Sequence, residues 1–136
     1  MQVLDRSRPK LRGGHTTTVT IGGERFLLIA SGLDDGTLRE VTIGWGRSGT
    51  GVAGLMDAYA AAITAGLEHG VPLADLLRPG LGLCFAPGGS TDDPEIPRVR
   101  SAADYFSRRL AIDWLTSDDR ATLFCTTRRG WPICCE

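Results

Sequence analysis

Thr16 to Ile21 (TTTVTI) is a β-branched run, and Arg25 to Ala30 (RFLLIA) answers it across Gly22-Gly23. Two strand-forming runs around a two-glycine turn predict a hairpin. Asp34-Asp35-Gly36 marks a second turn, and the chain then alternates from Leu38. Arg39, Val41, Ile43 and Trp45 are expected on one side, with Leu38, Glu40 and Thr42 on the other, which makes a third strand. After the glycine-rich break GRSGTG the period changes. Val52, Leu55, Met56, Tyr59, Ile63 and Leu67 form one helical stripe, with Ser48 or Thr50 able to cap its start and Gly70 to end it. Val71 to Leu77 reads as a short helix with Pro72 in its first turn. Leu81 to Pro97 is rich in glycine, proline and turn carboxylates and is expected to be a long irregular loop, a kind often used for binding. From Val99, a second stripe of Ala102, Ala103, Phe106, Leu110 and Trp114 predicts a long helix ending near Leu115.

The fold class that follows is α+β. A three-stranded antiparallel sheet packs on a central helix, with a second long helix and a long irregular loop. The organisation expected is a flexible polar arm over 1–14, one domain over 15–116 and an irregular C-terminal tail over 117–136. Such a small sheet leaves an open edge, and an exposed helix face besides, so a homo-oligomer is expected.

Composition narrows the function classes. Hydrophobic residues make up 42% of the 136, enough for one core, and the formal net charge of -1 argues against general nucleic-acid binding. Of the fifteen basic residues, only Lys10 is lysine. Guanidinium is a fork suited to phosphate, although biased codon usage explains the same count. The first fourteen residues are polar and basic, and no apolar run is long enough to span a membrane, so a cytoplasmic setting is expected. Cys84, Cys125, Cys134 and Cys135 have no zinc spacing, and His15 and His69 stand apart from them; no metal or cofactor is expected.

Three groups of residues carry candidate chemistry. Arg47, Ser48, Gly49 and Thr50 open the first long helix, where backbone N–H groups and a guanidinium can hold an anion; a simple capped turn reads equally from them. Arg108 and Arg109 with Arg98 and Arg100 form a second basic group, in which Arg100, Arg108 and Asp104 share a helix face; it reads either as an anion site or as a solvated ion-pair ladder. Phe85 reads as a stacking surface or a core aromatic, and Asp92 or Asp93 as an acceptor for a ribose or base or as turn carboxylates. No Ser/His/Asp or Cys/His arrangement and no helical carboxylate pair is present, so no catalytic residue is assigned.

Several motifs occur together and in order. They are Arg47-Ser48-Gly49-Thr50, Met56-Asp57-Ala58-Tyr59, Gly66 to Leu73 (GLEHGVPL), Phe85-Ala86-Pro87-Gly88-Gly89, Thr91 to Glu95 (TDDPE) and Asp104 to Leu115 (DYFSRRLAIDWL). Over residues 8–127 this run resembles the C-terminal accessory, TSCPD-like domain of vitamin B12-dependent (class II) ribonucleotide reductases. The family's catalytic barrel and CxxC-rich redox tail have no counterpart in the chain. The charged residues that flank the aromatic of the family's loop are replaced by Cys84 and Ala86. The resemblance implies nucleotides as the ligand class. The function expected is a non-catalytic binding module for a nucleotide, cyclic nucleotide or similar phosphate compound, acting as a sensor or by sequestration. A protein–protein assembly module of a reductase system, with a reductase as partner, is the alternative.

Overall fold

The computed structural model describes residues 14–45 and 51–127. The predicted arm and helix-start motif therefore lie almost wholly outside the described residues. Strands β1 (Gly14–Ile21), β2 (Glu24–Gly32) and β3 (Leu38–Trp45) form an antiparallel sheet in the order β1-β2-β3. The hairpin closes on Ile21 paired with Glu24. Gly22 and Gly23 both take positive φ, as a two-residue turn between right-twisted strands requires. In the second turn, Asp35 Oδ1 accepts from the backbone and hydroxyl of Thr37.

Helix α1 (Gly51–Glu68) lies against β3 and ends as a Schellman turn. Val71 N–H bonds Gly66 O and Gly70 N–H bonds Leu67 O, with Gly70 at positive φ. Helix α2 (Leu73–Leu77) leads into the loop, which contains a two-strand ladder of β4 (Gly89–Ser90) and β5 (Arg98–Val99). Helices α3 (Ala102–Trp114) and α4 (Ser117–Thr127) complete the described residues. One face of the sheet (Val19, Ile21, Phe26, Leu28, Val41, Ile43) packs with Met56 and Ile63 of α1 and Phe106 and Leu110 of α3 in a single core.

Helix α1 also blocks the β3 edge at Val41. Thr64 Oγ1 accepts from Val41 N–H at 3.0 Å and donates to Val41 O at 3.3 Å, so one hydroxyl satisfies both groups a neighbouring strand would pair. At the other edge, the loop lies beside the end of β1. Asp92 N–H bonds Thr20 O, Asp92 Oδ1 accepts from Thr20 N–H at 2.8 Å, and Gly22 N–H bonds Ser90 O.

The α+β architecture stands as expected, with four local corrections. Leu38 faces the core, because the β2–β3 register shifts at Ser31/Gly32: Glu40 pairs with Ser31 and Leu38 with Gly32, so Arg39 is passed over. Leu55 is 64% exposed; Ala53 and Ala60 take the inward positions, so the buried stripe of α1 is rotated from the predicted one. The third correction is that Val99 belongs to β5, and α3 starts only at Ala102, where Ser101 caps it by accepting from Asp104 N–H. Finally, the tail predicted to be irregular carries α4, docked through the fully buried Leu123.

Candidate functional site

Two arrangements emerge from the loop and α3. One is a closed polar network, and the other is an open cavity.

The network is centred on Arg109. Its Nε and one terminal nitrogen donate to the two oxygens of Asp113 at 3.1 and 2.6 Å, and its other terminal nitrogen donates to Asp93 Oδ2 at 3.0 Å. Asp93 also accepts from the Tyr105 hydroxyl at 2.8 Å and, through Oδ1, from Glu95 N–H. Thr91 Oγ1 donates to Ile96 O and accepts from Asp93 N–H, which folds TDDPE back on itself. Burial alone pushes the Asp93 carboxyl up. The bonds from Tyr105, the Glu95 backbone and Arg109 outweigh it, and the carboxyl lies below its ordinary range. The paired carboxylate of Asp113, then Asp93, holds Arg109 protonated, while burial and the adjacent Asp93 raise the Tyr105 hydroxyl.

Asp104 is the second buried carboxylate. It accepts from Gly82 N–H at 2.7 Å, Arg100 N–H at 3.0 Å and Arg108 Nε at 2.9 Å. With only 1% of its side chain exposed, it is no solvated ladder. Ser101 caps α3 by accepting from Asp104 N–H, while the Asp104 carboxylate reaches back to Arg100 N–H and ties down the loop at Gly82.

The cavity, of about 560 Å³, opens beside this second carboxylate. Arg98, Arg100, Arg108 and Glu95 line it together with the apolar Leu81, Ile96, Ile112 and Phe124. The Arg108 guanidinium lies 5.9 Å from the centre of the Phe124 ring. Neither Arg98 nor Arg100 pairs with a carboxylate among the described residues.

Of the sequence candidates, Arg98, Arg100 and Arg108 come together in the cavity, whereas Arg109 and Asp93 belong to the closed network. Asp92 is bound to the β1 edge, and Phe85 packs half-buried against the core. Arg47, Ser48, Gly49 and Thr50 lie outside the described residues. Phe124 was missed because it sits in the tail. Its signal was Thr116-Ser117-Asp118-Asp119, a capping sequence in which Thr116 Oγ1 accepts from Asp119 N–H. Among the described residues, no group of His, Cys, Asp and Glu could hold a metal ion, and no helix is long and apolar enough to cross a membrane.

A family model described as the TSCPD domain matches residues 2–113. The chain belongs to the TSCPD domain family. Vitamin B12-dependent ribonucleotide reductases contain similar segments. That of Streptomyces avermitilis is 39% identical over 115 residues, covering 85% of this chain and 12% of the enzyme. The Streptantibioticus cattleyicolor enzyme is 39% identical over 85% of the chain and 19% of its own length, and the Agrobacterium fabrum enzyme 32% identical over 87% and 10%. This TSCPD domain thus spans only a small part of the curated relatives it matches. No solved structure matches it.

The motifs that carry the family resemblance have structural work in this TSCPD domain. Asp92 fastens the loop to the sheet, Asp93 fastens it to α3, and Arg109 and Asp113 receive it there. The family segment ends at 113, so α4 and its Phe124 wall lie beyond it.

Proposed function

We propose that this TSCPD domain is a non-catalytic binding module for a nucleotide or nucleotide-derived phosphate compound, working as a sensor or by sequestration. The observation that carries the reading is the cavity. Three arginines and one glutamate line it among apolar walls, in a volume suited to a small organic ligand. Ribonucleotide reductase relatives make nucleotides the natural class of ligand. Turnover is not part of the proposal, because the lining offers Glu95 alone as an acid or base and no His, Cys or Ser nucleophile. A cytoplasmic setting belongs to the same proposal.

Calorimetric titration with nucleoside mono-, di- and triphosphates and cyclic oligonucleotides tests it. Saturable binding is expected, weakened at least about tenfold in Arg98→Ala and Arg100→Ala, which are exposed and form no ion pair among the described residues. Absence of binding across the panel refutes it.

A second reading, assembly with a reductase or with further copies of the chain, is favoured by two apolar surfaces. Leu27 and Ile29 project from the outer face of the sheet, and Leu55 projects from α1. Sedimentation of the wild type and Leu55→Arg tests the homo-oligomer: a concentration-dependent dimer lost in the variant supports it, and a monomer throughout refutes it.

A further inference from the structure

The cavity lining divides into three chemistries. Arg98 and Arg100 are exposed, and their guanidinium groups are uncommitted among the described residues. Arg108 is held through Nε by the buried Asp104 and lies over Phe124. Among the described residues both of its terminal nitrogens are thereby left for a ligand, in a plane the protein has already fixed. Its neighbour Arg109 makes the contrast plain, since all its nitrogens are spent on carboxylates.

Glu95 does not fit a site built for phosphate alone. Its carboxylate is 63% exposed and reaches Arg109 only at 3.5 Å, while Asp93 and Asp113 take the well-formed bonds. It is a spare acceptor in an otherwise cationic lining. A bare polyphosphate meets repulsion there. A ligand that presents N–H groups gains charge-assisted hydrogen bonds. Phe124 adds an aromatic wall on which a flat ring can lie.

We propose that the cavity takes a nucleoside polyphosphate whose base has a donor edge, guanine being the fullest case with adjacent N1–H and N2–H groups. Arg98 and Arg100 take the phosphates, the ring lies against the Arg108–Phe124 pair, and Glu95 accepts from the base. The two positive charges left after Glu95 is set against the three arginines match a ligand with more than one ionised phosphate oxygen. This inference rests on the binding function proposed above and adds the class of base.

The test is calorimetry on the full chain with GDP, ADP and inorganic pyrophosphate, repeated on Glu95→Gln and Phe124→Ala, with thermal unfolding as the check on folding. In the wild type, GDP is expected to bind about tenfold or more tighter than either competitor. Glu95→Gln is expected to erase the preference for GDP over ADP and, by removing the repulsion, to strengthen pyrophosphate binding. Phe124→Ala is expected to weaken both nucleotides and leave pyrophosphate unchanged. Equal affinity for GDP and ADP, or a GDP/ADP ratio unaltered in Glu95→Gln, overturns the inference and leaves the binding function standing. Binding of none of the three overturns the inference, and the wider nucleotide panel then decides whether the binding function goes with it.

Discussion

Replacing Arg109 by Met keeps the apolar stem and removes the charge from the loop–α3 junction. Asp93 then loses one charge-assisted bond but keeps those from Tyr105 and Glu95 N–H. With its side chain only 11% exposed, little water can replace the guanidinium, so the loss is about 1.5–3 kcal/mol. Asp113, at 20% exposure on the helix rim, rehydrates more readily and loses about 1 kcal/mol or less. The sum is about 3 kcal/mol, a large part of the roughly 5–15 kcal/mol that holds a domain of this size together. Urea unfolding monitored by tryptophan fluorescence checks it: the midpoint falls while the slope is unchanged. The effect depends on pH with a definite sign. The folded Asp93 carboxyl titrates below its ordinary value, so its stabilisation is complete at neutral pH and is lost as the pH falls through the folded value. The gap between wild type and Arg109→Met is therefore expected to narrow below about pH 4. A loss under about 1 kcal/mol at pH 7, or a gap that widens in acid, refutes the reasoning.

Three further outcomes are expected. Thr64→Val leaves both backbone groups of Val41 unpaired at the buried sheet edge and costs about 1–3 kcal/mol in chemical denaturation, with faster hydrogen exchange at Val41. Leu123→Ala, at a fully buried position in α4, costs about 2–5 kcal/mol by the same assay; a value near zero shows that α4 does not dock. Gly88→Ala places a Cβ 2.5 Å from the Arg100 carbonyl oxygen and 2.8 Å from its carbon, both backbone atoms, and lowers the thermal midpoint by several degrees, corresponding to about 1–3 kcal/mol.

The elements that were legible in the sequence are those whose signals are local. Gly22-Gly23 between two β-branched or apolar runs marked the hairpin, and the change of period after Gly51 marked α1. Leu38 and Leu55 were misplaced because alternation and helical spacing say which residues share a face, not how a bulge or a neighbouring element turns that face. Both errors at helix starts involve capping sequences: Ser101 to Asp104 sets α3 three residues later than its apolar stripe suggests, and Thr116 to Asp119 opens α4, whose docking leans on Leu123 and Phe124 rather than on a repeating stripe. The cavity was only half legible. Arg100 and Arg108 lie four residues either side of Asp104 and could be paired on paper. Glu95 and Phe124 are far apart along the chain, and they meet only because the loop and α4 return to the same side of α3.

The hydroxyl of Thr64 sets a limit on how this molecule can join its neighbours. With Val41 already satisfied, an added strand finds no ready register at that point of the ribbon's margin, and among the described residues the opposite margin is free only ahead of the point where Asp92 grips Thr20. Two copies joining by their ribbons would use up the single available margin on each, so growth by this route stops at a pair and cannot run on into a filament.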